Sequence, residues 1–347
     1  MPKNILILTQ KVDKNDDNLG FFHRWLEKFA EKTGKIFVIA NFIGEYNLPA
    51  NVQVFSLGKE KRLGRVRRYI NFYKYLFKTL PKSDAVFVHM IPAWVVLVWP
   101  VAAIYRKKIY LWYTHKSLTF SLRLAEKLVA KIFTASLESC RLNSKKIAVV
   151  GHGIDTEHFK PKDFPHDQGA FRLLSVGRVT PSKDYEFLLE AMEALKIRGY
   201  SAVLDVVGAP ITSADFSYKN KLDDLIKKRG LQNIVNFIGP KIYAEIPDVY
   251  NGHDLLLHAS ETGSLDKAVL EAMACGLPPV TTNEAFKNIL AALPVRQAGR
   301  YVSRKNSSEM TGKIIQLKNT GKNLSLREII IQNHNLNNLI KKIMENL

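Results

Sequence analysis

The residues of this sequence best placed to do chemistry lie in two stretches whose charged side chains stand about ninety positions apart. In SVGRVTPSKDYEFLLEAMEAL, Ser175 to Leu195, an apolar strand ends at Gly177, Arg178 follows at once, and Lys183 comes five residues later at a helix start. Thr180 and Pro181 offer that helix an N-cap and first-turn pair. A lysine in a first turn opposes the positive end of the helix dipole. A bound anion removes the conflict, because backbone N–H groups, Arg178 and Lys183 would then all point at phosphate. Two solvated surface cations are the alternative. In the second stretch, HASETGSLDKAVLEAMACGLPPVTTN from His258 to Asn283, a strand runs into the loop Thr262-Gly263-Ser264 and then into a helix holding Glu271. Glycine lets a backbone approach a ligand closely. A carboxylate on the following helix could accept two hydroxyl hydrogen bonds from a ribose, or simply face solvent. Gly276 and Pro278 end the helix.

The elements that must position these groups follow from the hydrophobic pattern. Strand-like runs occur at Asn4–Thr9, Ile36–Ala40, Val52–Leu57, Ala85–His89, Ile109–Tyr113 and Ile147–Val150, and helical spacing at Leu19–Thr33, Arg65–Leu80 and Leu118–Val129. Near-continuous apolar strands joined through helices predict a parallel sheet covered on both faces. GHGIDTEHFKPKDFPHDQG, Gly151 to Gly169, breaks the rhythm with prolines and glycines and reads as an interdomain connection. The alternation restarts with strands at Phe171–Val176, Ala202–Val207, Ile234–Phe237, Leu255–His258 and Pro279–Thr281, and helices at Asp184–Arg198 and Phe216–Arg229. The expected organisation is therefore an N-terminal domain over 1–155, a linker over 156–170, a second α/β domain over 171–324, and closing helices over 325–347.

The length of 347 residues suits two domains rather than one core. Cys140 and Cys275 stand far apart, which points to a reducing compartment and away from a disulfide framework or structural zinc. The opening MPKNILILTQ reads as a first buried strand rather than a signal peptide. Ile91–Tyr105 is the most apolar stretch, but it is too short for a membrane span, which needs about 20 residues, and is expected to be a buried helix. Fifty-one Lys and Arg against 32 Asp and Glu give a formal charge of +19. Such a field favours nucleic acid, anionic membrane or phosphorylated ligands. Much of it sits in KEKRLGRVRRYINFYKYLFKTLPK, Lys59 to Lys82, where Arg62, Arg65, Arg67, Arg68, Lys74 and Lys78 interleave with Tyr69, Phe72, Tyr73, Leu76 and Phe77. That pattern suits an interfacial helix on anionic lipid, or a helix burying its aromatics against a sheet beneath a solvated basic face.

Taken together, Gly177-Arg178, Lys183 and LEAMACGLP (Leu270–Pro278) resemble the donor site of family 4 glycosyltransferases, whose fold is GT-B. VNFIGPKIYAEIPDVYNGHDLLLHAS, Val235 to Ser260, resembles the base-binding segment of that family. The resemblance implies two Rossmann-like domains facing across a cleft and transfer of a sugar from a nucleoside-diphosphate-sugar. Arg178 and Lys183 would bind the diphosphate and stabilise its departure, Glu271 would hold the ribose, and the Thr262–Asp266 loop, with Gly263 and Ser264, would lie against the transferred sugar. One departure stands out: the family motif has glutamates eight positions apart, and Gly263 stands eight before Glu271, with Glu261 two positions too early and Asp266 and Lys267 inside the interval. In the N-terminal half, Asn18 and Gly20 resemble the family's glycine loop facing the diphosphate. His115, at the end of IYLWYTH, matches a position near the reacting centre, with His89 a weaker match; both also suit purely structural roles.

No D-x-D occurs in the sequence, and the resemblance implies retaining, metal-independent chemistry with no cofactor, Arg178 and Lys183 acting where Mg²⁺ acts elsewhere. The expected partners are a nucleotide-sugar donor, a glycan or lipid-linked acceptor and an anionic membrane surface, with a cytoplasmic or peripheral location. A sugar-nucleotide epimerase of the same fold is the competing enzyme reading. A nucleic-acid-binding protein would explain the charge, but no helix-turn-helix, zinc-finger or RNA-recognition signature is present. No G-x-G-x-x-G follows the first strand, which disfavours a dinucleotide-dependent dehydrogenase.

Overall fold

The computed structural model describes residues 2–163, 169–260 and 263–347. The chain divides into two compact units, Met1–Asp155 with His334–Leu347, and Thr156–Asn333.

In the first unit seven strands, β1 (Ile5–Val12), β2 (Ile36–Ile43), β3 (Val52–Ser56), β4 (Ala85–His89), β5 (Lys108–Trp112), β6 (Lys131–Thr134) and β7 (Ile147–Val149), form one sheet in the order β3-β2-β1-β4-β5-β6-β7. All neighbours pair in parallel, Ile5 opposite Ile36 and Ala85. Successive β1 side chains enter opposite cores, as a pleated strand requires. Ile5 and Ile7 pack with Phe22, Trp25 and Phe29 of α1 (Phe21–Ala30), and with Leu339 and Ile343 of the helix Leu336–Met344. Leu6 and Leu8 pack against α2 (Arg65–Thr79), α3 (Pro92–Ile104) and α4 (Phe120–Leu128). The β6 strand escaped the sequence pattern because four residues directly after a helix carry no readable period. The apolar α3 is buried only on the face of Val95, Val98, Val101 and Ala102, while Trp99 and Ile104 are exposed. The expected buried helix is therefore corrected to one buried on a single face. Among the described residues no helix is long and apolar enough to cross a membrane.

In the second unit β8 (Phe171–Val176), β9 (Ala202–Val207), β10 (Val235–Gly239), β11 (Leu255–His258) and β12 (Pro279–Thr281) form a parallel sheet in the order β10-β9-β8-β11-β12. It is covered by α5 (Tyr185–Ile197), α6 (Ser213–Lys228), α7 (Ile246–Asn251), α8 (Lys267–Ala274) and three further helices up to Leu317. The α6 helix starts before the expected Phe216 because Thr212 and Asp215 cap it reciprocally. Residues 156–163 of the expected linker belong to this unit's packed body: Phe159 is fully buried, and Arg327 donates to the carbonyls of Thr156 and Phe159 at 2.9 and 2.7 Å. The closing segment splits, since the helix Leu324–His334 stays with the second unit almost to its end and Leu336–Met344 returns to the first.

Candidate functional site

The candidate site lies at the carboxyl ends of β8 and β11. Beyond β8 the chain passes through Gly177 at φ +152°, a conformation that side chains disfavour, and the Lys183 side chain lies over it, with Cε 3.1 Å from where a Cβ would sit. Gly208 closes the end of β9 at φ +143°, and a Cβ there would strike the Gly177 carbonyl. Two adjacent strand ends thus need glycine for their backbones to meet. The hydroxyl of Tyr185, the buried first residue of α5, donates to the Gly177 carbonyl at 3.0 Å and helps fix the turn.

Lys183 does not occupy the first turn of α5. It ends a short 3₁₀ turn, Pro181–Lys183, and Asp184 in left-handed conformation separates that turn from the helix. Nor does it lack a counter-charge: its ammonium is ion-paired with Asp266, both side chains less than one-fifth exposed. The expectation that only a bound anion balances Lys183 is corrected accordingly. Arg178 is different. It is exposed at the end of β8, and no hydrogen-bond or ionic partner for it is found among the described residues.

Asp266, read from the sequence only as the end of the sugar-side loop, is the hub of the network. It caps α8, accepting from the Ala268 N–H at 3.2 Å, and takes Lys183 and His258 Nε2 (3.1 Å) on its other oxygen. Burial opposes its ionisation, but the Lys183 charge and the His258 hydrogen bond outweigh it and hold the carboxyl well below its usual range. An ionised carboxylate only accepts, so His258 donates from Nε2, and Nδ1 accepts from the Thr281 hydroxyl at 2.8 Å. Burial keeps this histidine neutral, its pKa lowered. Thr281 in turn accepts from the Asn283 N–H at 3.0 Å, and the Asn283 amide donates to the Ser264 carbonyl at 2.7 Å. One connected network therefore runs from Gly177 and Lys183 through Asp266, His258, Thr281 and Asn283 to the loop of Gly263 and Ser264. Gly263 sits at φ +65°. Glu261 and Thr262 lie outside the described residues. The signals that could have exposed the hub were an Asp immediately before a helix, a preferred N-cap, and a histidine closing a strand.

Glu271 does not face solvent. It is 8% exposed, accepts from the Tyr250 hydroxyl at 3.1 Å and pairs with Lys267 at 3.2 Å. Burial and the Glu271 charge push the Tyr250 hydroxyl well above its ordinary pKa. The same two causes push the Cys275 thiol up to about 12. Gly20 and His115 belong to the other unit. Gly20 precedes α1 in ordinary right-handed conformation, so its backbone there does not require glycine. His115 is exposed and accepts from the Ser117 N–H at 3.1 Å. His89 is a core residue, stacked on Phe22 at 4.0 Å and bonded to Thr9 at 3.2 Å.

A strand-end glycine with an uncommitted arginine beside it, and a buried carboxylate on the following helix, can hold a charged ligand at two points. The model of the family of glycosyl transferases group 1 matches residues 156–336, the unit that carries this network. The chain belongs to this family. D-inositol 3-phosphate glycosyltransferase 2 of Catenulispora acidiphila is 28% identical over 172 residues, covering 45% of this chain and 40% of that protein. The chain thus spans about two-fifths of the length of such relatives. Two solved structures match almost end to end. A glycosyltransferase from Rickettsia africae does so with a TM-score of 0.73 at 16% identity, covering 99% of this chain and 97% of that one. Sucrose-phosphate synthase from Thermosynechococcus elongatus gives 0.74 at 13%, covering 99% and 98%. The fold is GT-B, built of two Rossmann-like domains.

Proposed function

We propose that this chain transfers a glycosyl group from a nucleoside-diphosphate-sugar to a glycan or lipid-linked acceptor. The observation that carries the reading is Arg178: an exposed guanidinium with no partner among the described residues, at a strand end where Gly177 and Gly208 let two backbones pack closely. It would take the distal phosphates and stabilise the leaving diphosphate. Lys183 would share its charge between Asp266 and the phosphate, Glu271 would accept from the ribose hydroxyls, and the backbone of Gly263 and Ser264 would border the sugar. Retention at the anomeric carbon, a contribution from His115 and a contact from Gly20 belong to the same reading. The names of the group 1 relatives support sugar transfer rather than epimerisation. Arg178→Ala should lower turnover by about 2–4 kcal/mol of transition-state stabilisation, by analogy with losing one oxyanion donor, while leaving the thermal transition in place. Wild-type turnover in a soundly folded variant would remove Arg178 from the mechanism.

The reaction is proposed to need no divalent metal, since two cations of the chain serve the phosphates. Turnover that persists in excess EDTA is expected; loss that Mg²⁺ or Mn²⁺ restores would overturn this. The location proposed is peripheral, on an anionic membrane surface. It is supported by α2, where Val66, Tyr69, Ile70 and Phe77 are exposed beside exposed Arg62 and Arg67.

A further inference from the structure

A pocket of about 220 Å³ opens in the first unit between β1, β2, α2 and the start of α3. Its polar wall is Gln10, Asn41, Arg65 and Arg68, and its apolar wall includes Tyr69 and Trp94. No Asp or Glu lines it. Arg68 is half-buried and donates from Nη1 to the Asn41 side chain at 2.9 Å, but its Nε is buried without a hydrogen-bond partner. A guanidinium carries five N–H donors in a fixed fork, and a buried donor left without an acceptor is destabilising. Arg65 is exposed at the rim and pairs with no carboxylate among the described residues. Both arginines stand in the first turn of α2, which has no acidic residue and no side-chain cap, so the helix dipole adds to their charge rather than relieving it. The α3 helix, whose start forms another side of the pocket, also lacks an acidic residue in its first turn.

We propose that this pocket binds a phosphate ester carried on an apolar stem, the guanidinium groups of Arg65 and Arg68 taking the phosphate and Tyr69 and Trp94 flanking the stem. The chemistry follows from the walls. Guanidinium groups match phosphate oxygens bidentately, whereas a neutral apolar ligand would leave the Arg68 Nε unmade. A volume below the roughly 300–1,000 Å³ of whole-ligand pockets suits the head of a larger molecule. As the seat of the acceptor, the pocket rests on the transferase reading above; as an anion site it is independent of Arg178, Lys183 and Glu271.

The test is titration of the full chain with octyl phosphate below its micelle concentration, with octyl glucoside and inorganic phosphate as comparisons. The proteins are wild type, Arg65→Gln and Arg68→Gln, and nucleoside diphosphate binding is measured on each. Octyl phosphate should saturate the wild type, bind at least tenfold more weakly to both variants, and outcompete inorganic phosphate, with octyl glucoside showing no saturation. Nucleoside diphosphate affinity should be unchanged in both variants, and far-UV circular dichroism with a wild-type thermal transition should report that the first unit is folded; absence of nucleoside diphosphate binding from every protein would fail the donor reading and leave this one standing. Equal octyl phosphate affinity in wild type and Arg65→Gln, which alters a rim residue outside the core, would overturn the proposal. So would inorganic phosphate binding as tightly as octyl phosphate, because the apolar wall would then recognise nothing.

Discussion

Lys183 and Asp266 neutralise each other within a largely buried network, and on the proposed function a diphosphate beside Gly177 would draw on that same ammonium. Breaking one member of a buried pair strands the other charge, so Asp266 governs how Lys183 is presented. Asp266→Asn is the informative change, since Asn caps a helix about as well as Asp and α8 keeps its start. The variant should lose about tenfold or more in turnover, roughly 1.4 kcal/mol, through an ammonium no longer held in place. Its affinity for nucleoside diphosphate should hold or rise, because a competing carboxylate charge has gone. Steady-state kinetics beside calorimetric binding reads both; unchanged turnover would make the pair a structural bridge only. At this scale the sequence was half legible. The local settings of Gly177, Arg178 and Glu271 could be read because each sits in a short run of strand, turn and helix, whereas Lys183 was placed in a helix and lies in the turn before it. Asp266 could not be read as the hub, because its partner Lys183 lies 83 positions away and no local pattern records a tertiary contact. Gly208 was missed for the same reason: it matters only because the end of the neighbouring strand passes against it.

Elements with long apolar runs were legible, and those defined by neighbours were not. The β1, β4, β8 and β11 strands lie where continuous apolar runs place them, while the four-residue β6 is a strand only because β5 and β7 flank it. The C-terminal segment shows the same rule, since nothing local says that its two helices serve different units. Their junction at His334 carries a consequence for stability. His334 is buried, accepts from the His152 N–H at 3.2 Å, and its pKa is lowered to about 4 by burial and by Lys342. The neutral form is therefore favoured in the folded chain, while the unfolded chain protonates near 6.5. As pH falls from about 6.5 to about 4, only the unfolded state takes up this proton, so stability falls across that window and is fully present above it. A shift from 6.5 to about 4 is worth about 3 kcal/mol, and His258, lowered in the same direction, adds to the slope. Urea unfolding at about pH 7 and about pH 4.5 should show His334→Gln losing about 2–3 kcal/mol less than wild type between the two. Equal losses would mean that His334 is solvated enough to titrate normally.

Across the whole molecule, the formal charge of +19 is not spread evenly. Residues 59–82 hold nine Lys and Arg against Glu60 alone, and the structure sorts eight of them, all but Lys82, by task. Arg65 and Arg68 line the pocket, and Lys74 and Lys78 lie over the rings of Tyr75 and Phe55 at 6.0 and 5.3 Å. The aromatics are sorted too: Phe72 and Leu76 are buried against the sheet, whereas Tyr69 and Phe77 are exposed. Neither simple picture of this helix, all interfacial or all packed, describes it. Lys59, Lys61, Arg62 and Arg67 remain exposed beside Val66 and Ile70, which are themselves 73% and 61% exposed. Cations around protruding apolar side chains are what an anionic bilayer surface holds. Each cation near such a surface is worth about 1 kcal/mol, so changing those four to Ser should cost roughly 4 kcal/mol of docking, or about three orders of magnitude in partitioning. Arg65 and Arg68 stay intact in this variant, which separates membrane docking from the pocket. Sedimentation with anionic vesicles should pull down the wild type and leave the variant in solution, and neutral vesicles should hold neither. Raising salt from about 0.1 M to about 1 M, which shortens the Debye length from about 10 Å to about 3 Å, should release the wild type. Equal sedimentation of both proteins with anionic vesicles, or wild-type binding that ignores salt, would leave the four cations as a solvated face and assign the charge of this unit to the pocket alone.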